Sequence, residues 1–343
     1  MTEWMKSLSL TKPVIQAPMA GGLVTPVLAA AVSNEGALGS LASGYLSSDM
    51  LEKQIVDMQQ LTDGAFQVNV FVPESRKEPD EGNIQTWKNR IPFAEQASLF
   101  SSEEEEWEDF HKKISIILKH NIRACSFTFG IPPDETIQAL KENGCCLIGT
   151  ATVPQEAIML EERGMDIIVL QGSEAGGHRG SFLPVSGEAA LGLMSLIPQA
   201  TDAVSVPVIA AGGIADRRGV QAAHCLGAQG VQVGTPFLMC EECEASETYR
   251  RELKRAQGTD TRLTSLFSGK PARGIVNQWM KEQQAEEANT LPYPLQNTLT
   301  KPMRKQAARE KDSRYMSLWA GQSVGMLNGP ADVKSLLAEL CRT

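Results

Sequence analysis

Three glycine-bearing loops and one histidine hold most of the chemistry that this chain's residue types could perform. The first loop is Leu170-Gln171-Gly172-Ser173-Glu174-Ala175-Gly176-Gly177-His178-Arg179-Gly180, with four glycines within nine residues directly after the apolar run Met165–Leu170. Glycine accepts positive φ and lets a ligand approach the backbone. A strand running into such a loop, with one titratable side chain, is a place for proton transfer or ligand contact. The competing reading is a tight connection carrying an incidental surface histidine. The other two loops are Ala210-Ala211-Gly212-Gly213-Ile214-Ala215-Asp216 and Val231-Gln232-Val233-Gly234-Thr235-Pro236-Phe237. Paired glycines ahead of a helix N-terminus expose several backbone N–H groups to one anion, and Gly234-Thr235 adds further N–H groups and a hydroxyl. Tight turns would look the same. No Gly-x-Gly-x-x-Gly follows a strand, so the anion reads as a single phosphate rather than a dinucleotide. Flavin mononucleotide (FMN) is the redox cofactor that suits this. Near the N-terminus, Gln16-Ala17-Pro18-Met19-Ala20-Gly21-Gly22 offers an apolar, glycine-edged platform for the flat face of a ring, or else a core strand and its turn.

The elements that must position these loops recur along the chain. Strand-like runs are Val14–Met19, Ala37–Ser43, Phe66–Val72, Ala124–Phe129, Cys145–Thr150, Asp166–Gln171, Pro207–Ala211 and Gly230–Leu238. Near-continuous apolar strands alternating with helices indicate a parallel sheet covered by helices. Thr25-Pro26 opens one helix, Ser47-Ser48-Asp49 the next, and Pro133-Asp134-Glu135 and Pro154-Gln155-Glu156 two more. Gly36, Gly144, Gly164 and Gly227 stand where left-handed helix C-caps belong. Eight such units make a TIM-like (β/α)8 barrel, in which the site lies at the strands' C-terminal ends and phosphate after strands seven and eight. The three loops fall at those ends.

Two stretches break the rhythm. The segment of about 74–122 is too long for one crossover and reads as a βα-loop insertion that could serve as a lid. It starts with the polar run Glu74–Asn83 and ends in a helix around Trp107, Phe110, Ile114 and Ile117. The barrel is expected to fill residues 1–256, leaving 257–343 as a C-terminal helical extension over one barrel face.

Composition narrows the function classes. A net charge of −9 opposes a nucleic-acid or anionic-membrane partner. The N-terminus lacks the apolar stretch of a secretory leader. Seven cysteines without such a leader suggest reduced thiols and a cytoplasmic location. Cys240-Glu241-Glu242-Cys243 has redox or metal spacing, but with no second Cys/His pair it reads as structural, and no metal site is expected. His111, His120 and His224 lack the glycine-loop setting and read as structural or exposed.

Taken in order, the stretch Gln16–Gly22, Asn69-Val70-Phe71-Val72-Pro73, the loop Gly172–Gly180 and Gly234-Thr235-Pro236-Phe237 resemble the motifs of the nitronate monooxygenase family, the FMN-dependent 2-nitropropane dioxygenase-like enzymes. The resemblance runs from about Pro13 into the C-terminal tail. It implies non-covalently bound FMN and oxidation of alkyl nitronates, such as propionate 3-nitronate, by molecular oxygen. The products would be carbonyl compounds and nitrite or related nitrogen oxides. His178 would be the active-site base. Cofactor contacts would come from Ala17, Pro18, Met19, Asn69, Gln171, Gly176, Gly177, Gly212, Gly213, Gln232, Val233, Gly234 and Thr235. Pro236 stands where family members often carry a basic residue. Asn69 could instead cap a turn, and Gln171 could satisfy buried backbone groups. Glu174 and Arg179, which flank the histidine motif, could orient the loop by ion pairing or contact a substrate, and orientation is the favoured reading. A nitronate and O2 are the expected small-molecule partners, the chain acting as monomer or homodimer. The alternatives are an NAD(P)H-dependent flavin reductase for an enoyl thioester or quinone, and a non-catalytic flavin- or phosphate-binding protein.

Overall fold

The computed structural model describes residues 2–76, 80–184, 190–327, 329 and 331–342. Part of the polar run that opens the insertion, residues 77–79, lies outside them. Eight parallel strands, Val14–Gln16, Gly39–Ala42, Phe66–Phe71, Ala124–Thr128, Cys146–Ala151, Ile167–Gln171, Val208–Ala211 and Gly230–Val233, pair in sequence order, and the first pairs with the last. Between the first and second strands the ring closes through a bridge at Ile15 and Leu38, where Leu38 N–H donates to Val14 O and Gln16 N–H to Leu38 O. The strand interiors are buried on both faces, which is why their sequences read as unbroken apolar runs. Gly36, Gly144, Gly164 and Gly227 have φ between 73° and 110°, the left-handed caps that turn each helix back to the sheet. Below the strands, the helix Glu3–Ser7 lays Trp4 and Met5 against Ile15, Ile167 and Ile209, so the barrel floor is sealed and only the other end is open.

Several boundaries differ from the sequence reading. The eighth strand ends at Val233, not Leu238, and Thr235–Met239 winds into a 3-10 helix. Pro236 has no N–H for a ladder and its fixed φ suits a helical first turn. The first strand stops at Gln16 because Pro18 similarly cannot extend it. Glu103–Lys119, closed by a capping box between Ser102 and Glu105, packs on the neighbouring barrel helix Ser48–Leu61 and on the third strand. It is therefore the ordinary crossover helix, and the true interruption is shorter, roughly residues 73–102. That interruption holds a second helix, Glu81–Arg90, not foreseen, whose Trp87 is fully buried.

The C-terminal segment is not purely helical. Thr261–Thr264 and Ala272–Ile275 form an antiparallel hairpin whose second strand pairs with the two-residue strand Gly177–His178, Ala272 opposite His178 and Arg273 opposite Gly177. The helix Leu295–Glu310 and Trp279 join Trp87, Ile91 and Ala94 of the interruption in a second apolar core. The last helix, Val333–Leu340, returns to the barrel and packs between Pro26–Asn34 and Arg217–Cys225. It fills the outer-ring place that follows the eighth strand, so a boundary at 256 would leave the barrel one helix short.

Candidate active site

The open end of the barrel holds a cavity to which every strand contributes. Its wall includes Ala17, Pro18 and Met19 after the first strand, Tyr45 after the second, Asn69 and Phe71 on the third, and Ser126, Thr128 and Phe129 on the fourth. Thr150, Gln171, Gly176, Gly177, His178, Ala211, Gly212, Gly213, Gln232, Gly234 and Thr235 follow from the later strands and their loops. Every residue expected at the site lines this cavity except Val233. Its side chain is buried in the core and only its carbonyl serves the region, accepting Ala17 N–H at 2.7 Å. Alternation along a strand explains this: with Gln232 and Gly234 facing the cavity, Val233 must point outward.

The polar side chains are held by their neighbours. Asn69 is buried at the strand end and donates through Nδ2 to Ser126 O, Ser126 Oγ and Thr128 Oγ1 at 3.0 to 3.2 Å, which fixes the amide with its oxygen free of those bonds. Gln171 clasps its own loop: Nε2 donates to His178 O at 2.9 Å and Oε1 accepts from Gly180 N–H at 2.8 Å. Both readings of Gln171 therefore describe the same side chain, which satisfies loop backbone and still borders the cavity. Arg179 Nη1 donates to Gln171 O, and the Glu174 carboxylate accepts Leu193 N–H. Neither lines the cavity, in keeping with an orienting role, although the two do not pair with each other.

His178 is half-buried at the cavity wall. Its Nε2 lies 2.8 Å from Ser268 Oγ, and that hydroxyl in turn donates to Lys270 O. This arrangement favours a proton on Nε2 and leaves Nδ1 as the basic nitrogen. The rings of Phe129, Tyr293 and Trp319 stand 5.6 to 6.1 Å from the imidazole. Burial, then the charges of Lys270 and Arg304, lower its pKa from 6.5 to about 3, so the imidazole is neutral at ordinary pH.

Two glycines show how close the backbone comes. A Cβ on Gly176 would sit 2.5 Å from Gly321 N and 2.6 Å from Ala320 C, so the tail rests directly on the loop. Gly213 has φ of 65° and, with Gly234 and Thr235, carries a backbone N–H that no acceptor among the described residues engages. These donors stand ahead of the helix Arg217–Cys225 and the 3-10 helix Thr235–Met239, the setting that suits a phosphate. The donors, the apolar face of Ala17-Pro18-Met19 and the absence of bulk at the glycines fit a flavin mononucleotide.

Several lining residues carried no recognisable motif. Tyr45, Ser126, Thr128 and Phe129 are ordinary strand-end residues whose inward direction follows only from the register. Trp319, Gly321 and Ser323 arrive from a tail some eighty positions beyond the last barrel strand, and Ser268, which holds His178 from behind the wall, comes from the hairpin turn. Cys240 and Cys243 are free and buried, with burial raising both thiols' pKa. Their segment is structural: Glu241 N–H donates to Ala331 O, and the Glu242 carboxylate accepts Val333 N–H at the start of the final helix. Among the described residues no group of His, Cys, Asp or Glu is arranged to hold a metal ion.

The family model for nitronate monooxygenase matches residues 2–343. A Bacillus subtilis (strain 168) protein named "Probable nitronate monooxygenase" is 59% identical over 342 residues, covering 100% of this chain and 99% of that one. A Staphylococcus haemolyticus protein of the same name is 45% identical, over 93% and 90% of the two chains. Among solved structures, nitroalkane oxidase from Streptomyces ansochromogenes superposes with a TM-score of 0.89 at 35% identity, covering 99% of this chain and 96% of its own. FabK from Thermotoga maritima superposes less well, at 0.78 with 29% identity over 99% and 94%. A family match over nearly the whole sequence, a barrel of the same architecture and a histidine-bearing glycine loop at its mouth agree: the chain belongs to the nitronate monooxygenase family.

Proposed function

We propose that the protein is a flavin-dependent oxidoreductase that uses FMN and molecular oxygen to oxidise alkyl nitronates. The observation that carries this reading is the pairing, in one cavity, of unengaged N–H donors after strands seven and eight with a neutral histidine walled by aromatic rings. Gly213, Gly234 and Thr235 would hold the phosphate, Ala17, Pro18 and Met19 the ring, and Asn69 Oδ1 and Gly176 its edge. When bound, FMN supplies the electron acceptor and the partner for oxygen. The chain's own part is to bind, orient and dry the substrate. A nitronate arrives already deprotonated, so it needs no strong base. His178, with a pKa of about 3, is a weak one and serves better as a neutral partner that positions the anion. Trp319 and Tyr293 close the space beside it and exclude water.

The products would be a carbonyl compound with nitrite or a related nitrogen oxide. The seven cysteines are all free, four of them buried, which agrees with a cytoplasmic setting. No helix among the described residues is long and apolar enough to cross a membrane. Monomer and homodimer both accommodate a site built within one chain. The similarity to FabK keeps an NAD(P)H-dependent reductase as the reading to be tested against. The deciding experiment is oxygen consumption by the yellow protein with propionate 3-nitronate, set beside anaerobic bleaching of its flavin by NADH. Uptake with the nitronate and slow bleaching are expected; rapid bleaching without nitronate turnover would transfer the protein to the reductases. The released cofactor should be FMN, and colourless protein that takes up no FMN would sink the flavoenzyme reading.

A further inference from the structure

A nitronate is an anion and the chain carries a net charge of −9, yet among the described residues lining the cavity there is no lysine or arginine. The bound flavin would bring a phosphate as well. A negatively charged substrate entering such a field needs a local cation. Lys270 is placed to provide it. It leaves the hairpin turn two residues after Ser268, the residue that holds His178. Its Nζ stands 4.3 Å from the centre of the Phe129 ring, and Phe129 both lines the cavity and lies 6.0 Å, ring to ring, from His178. Phe129 adopts a φ of 75°, a conformation rare for a bulky residue and concentrated at functional sites.

Among the described residues Lys270 makes one salt bridge, to Glu74 on the loop after the third strand. The two members differ in exposure: the lysine side chain is 12% exposed and the glutamate 35%. A partly solvated carboxylate can turn to water cheaply, whereas the buried cation then stands uncompensated, which is costly. We propose that Lys270 anchors the anionic substrate and that Glu74 is its exchangeable counter-ion, occupying the cation until a nitronate replaces it. This rests on the nitronate reading above. It also gives the site a rule of selection: a neutral nitroalkane has no charge with which to displace Glu74.

The two side chains make opposite predictions, which a simple structural brace would not. On the FMN-loaded enzyme, Glu74→Gln should lower KM for propyl-1-nitronate, and the calorimetric Kd for nitrate, about three- to tenfold. Lys270→Met should raise both at least tenfold. Lys270→Arg, which keeps the charge, should stay within about threefold of wild type, and the double variant should resemble Lys270→Met. KM for 1-nitropropane should move less than about threefold throughout. If both single variants shift affinity in the same direction, or 1-nitropropane moves as much as its nitronate, the pair is a brace and the proposal falls. Should Lys270→Met fail to fold, the sign of the Glu74→Gln effect decides alone, and no detectable nitrate binding in that variant overturns the proposal. Opposite shifts in nitrate affinity without nitronate turnover would refute the activity and leave the anion site standing. Nitronate turnover without opposite shifts would do the reverse.

Discussion

At the scale of single residues, the lowered pKa of His178 has consequences in both kinetics and stability. Removing a proton from a neutral nitroalkane calls for a base, and among the described residues lining the cavity His178 is the one imidazole, weak as its lowered pKa makes it. His178→Asn should retain flavin and lose about a hundredfold or more in kcat/KM for a nitroalkane, while the matching nitronate loses less than about tenfold. The check is kcat/KM for both forms of one compound at one pH; equal losses would assign His178 to binding alone. For stability, the imidazole titrates near 3 when folded and near 6.5 when unfolded. The folded state thus binds fewer protons throughout that window, and stability must fall as pH drops through it. Thermal melts at pH 7 and pH 4.5 should show a larger drop for wild type than for His178→Asn. Equal drops would mean that the ring titrates normally.

At the scale of elements, the glycine loop and the tail are one device. Gly176 lets the tail backbone at Ala320 and Gly321 lie on the loop, and Gln322 N–H donates to Glu174 O beside it. Gly176→Ala puts a methyl against backbone that cannot rotate away. The expected result is a protein that folds but releases FMN at least tenfold more readily, measured by flavin fluorescence on dilution. Undiminished retention would show that the loop–tail contact is slack. The same contact marks where sequence reading succeeds and where it stops. Gly213, Gly234 and His178 were legible because backbone approach and titration each demand a residue type. Phe129, Thr150 and Ser126 were not, since any small or apolar residue at a strand end reads alike until the register is known. Trp319 and Ser268 were illegible for another reason: their partners lie about 140 and 90 positions away, beyond any local pattern. The hairpin Thr261–Ile275 was missed because its strands are only four residues long and contain two arginines and a glycine.

At the scale of the whole molecule, the chain's two ends meet around the ring. Glu3–Ser7 seals the floor, and Val333–Leu340 takes the last outer place between the helices Pro26–Asn34 and Arg217–Cys225. Ending the chain at residue 330 would remove Leu337 and Leu340, both fully buried, uncover the helix faces they pack on, and leave the Glu242 carboxylate without Val333 N–H. Burial of each such leucine is worth about 2–3 kcal/mol, so the truncated protein should melt at least several degrees lower. A melting temperature unchanged in calorimetry would show that the helix only decorates the barrel. The place of that helix also bears on how the protein is made. Chains emerge N-terminus first and their domains tend to fold as they appear. Here the outer ring cannot be completed before residues 333–340 have been made, nor the cavity covered before Trp319 and Gly321 have. A barrel made only up to residue 332 would therefore carry an open apolar seam beside the helix Pro26–Asn34.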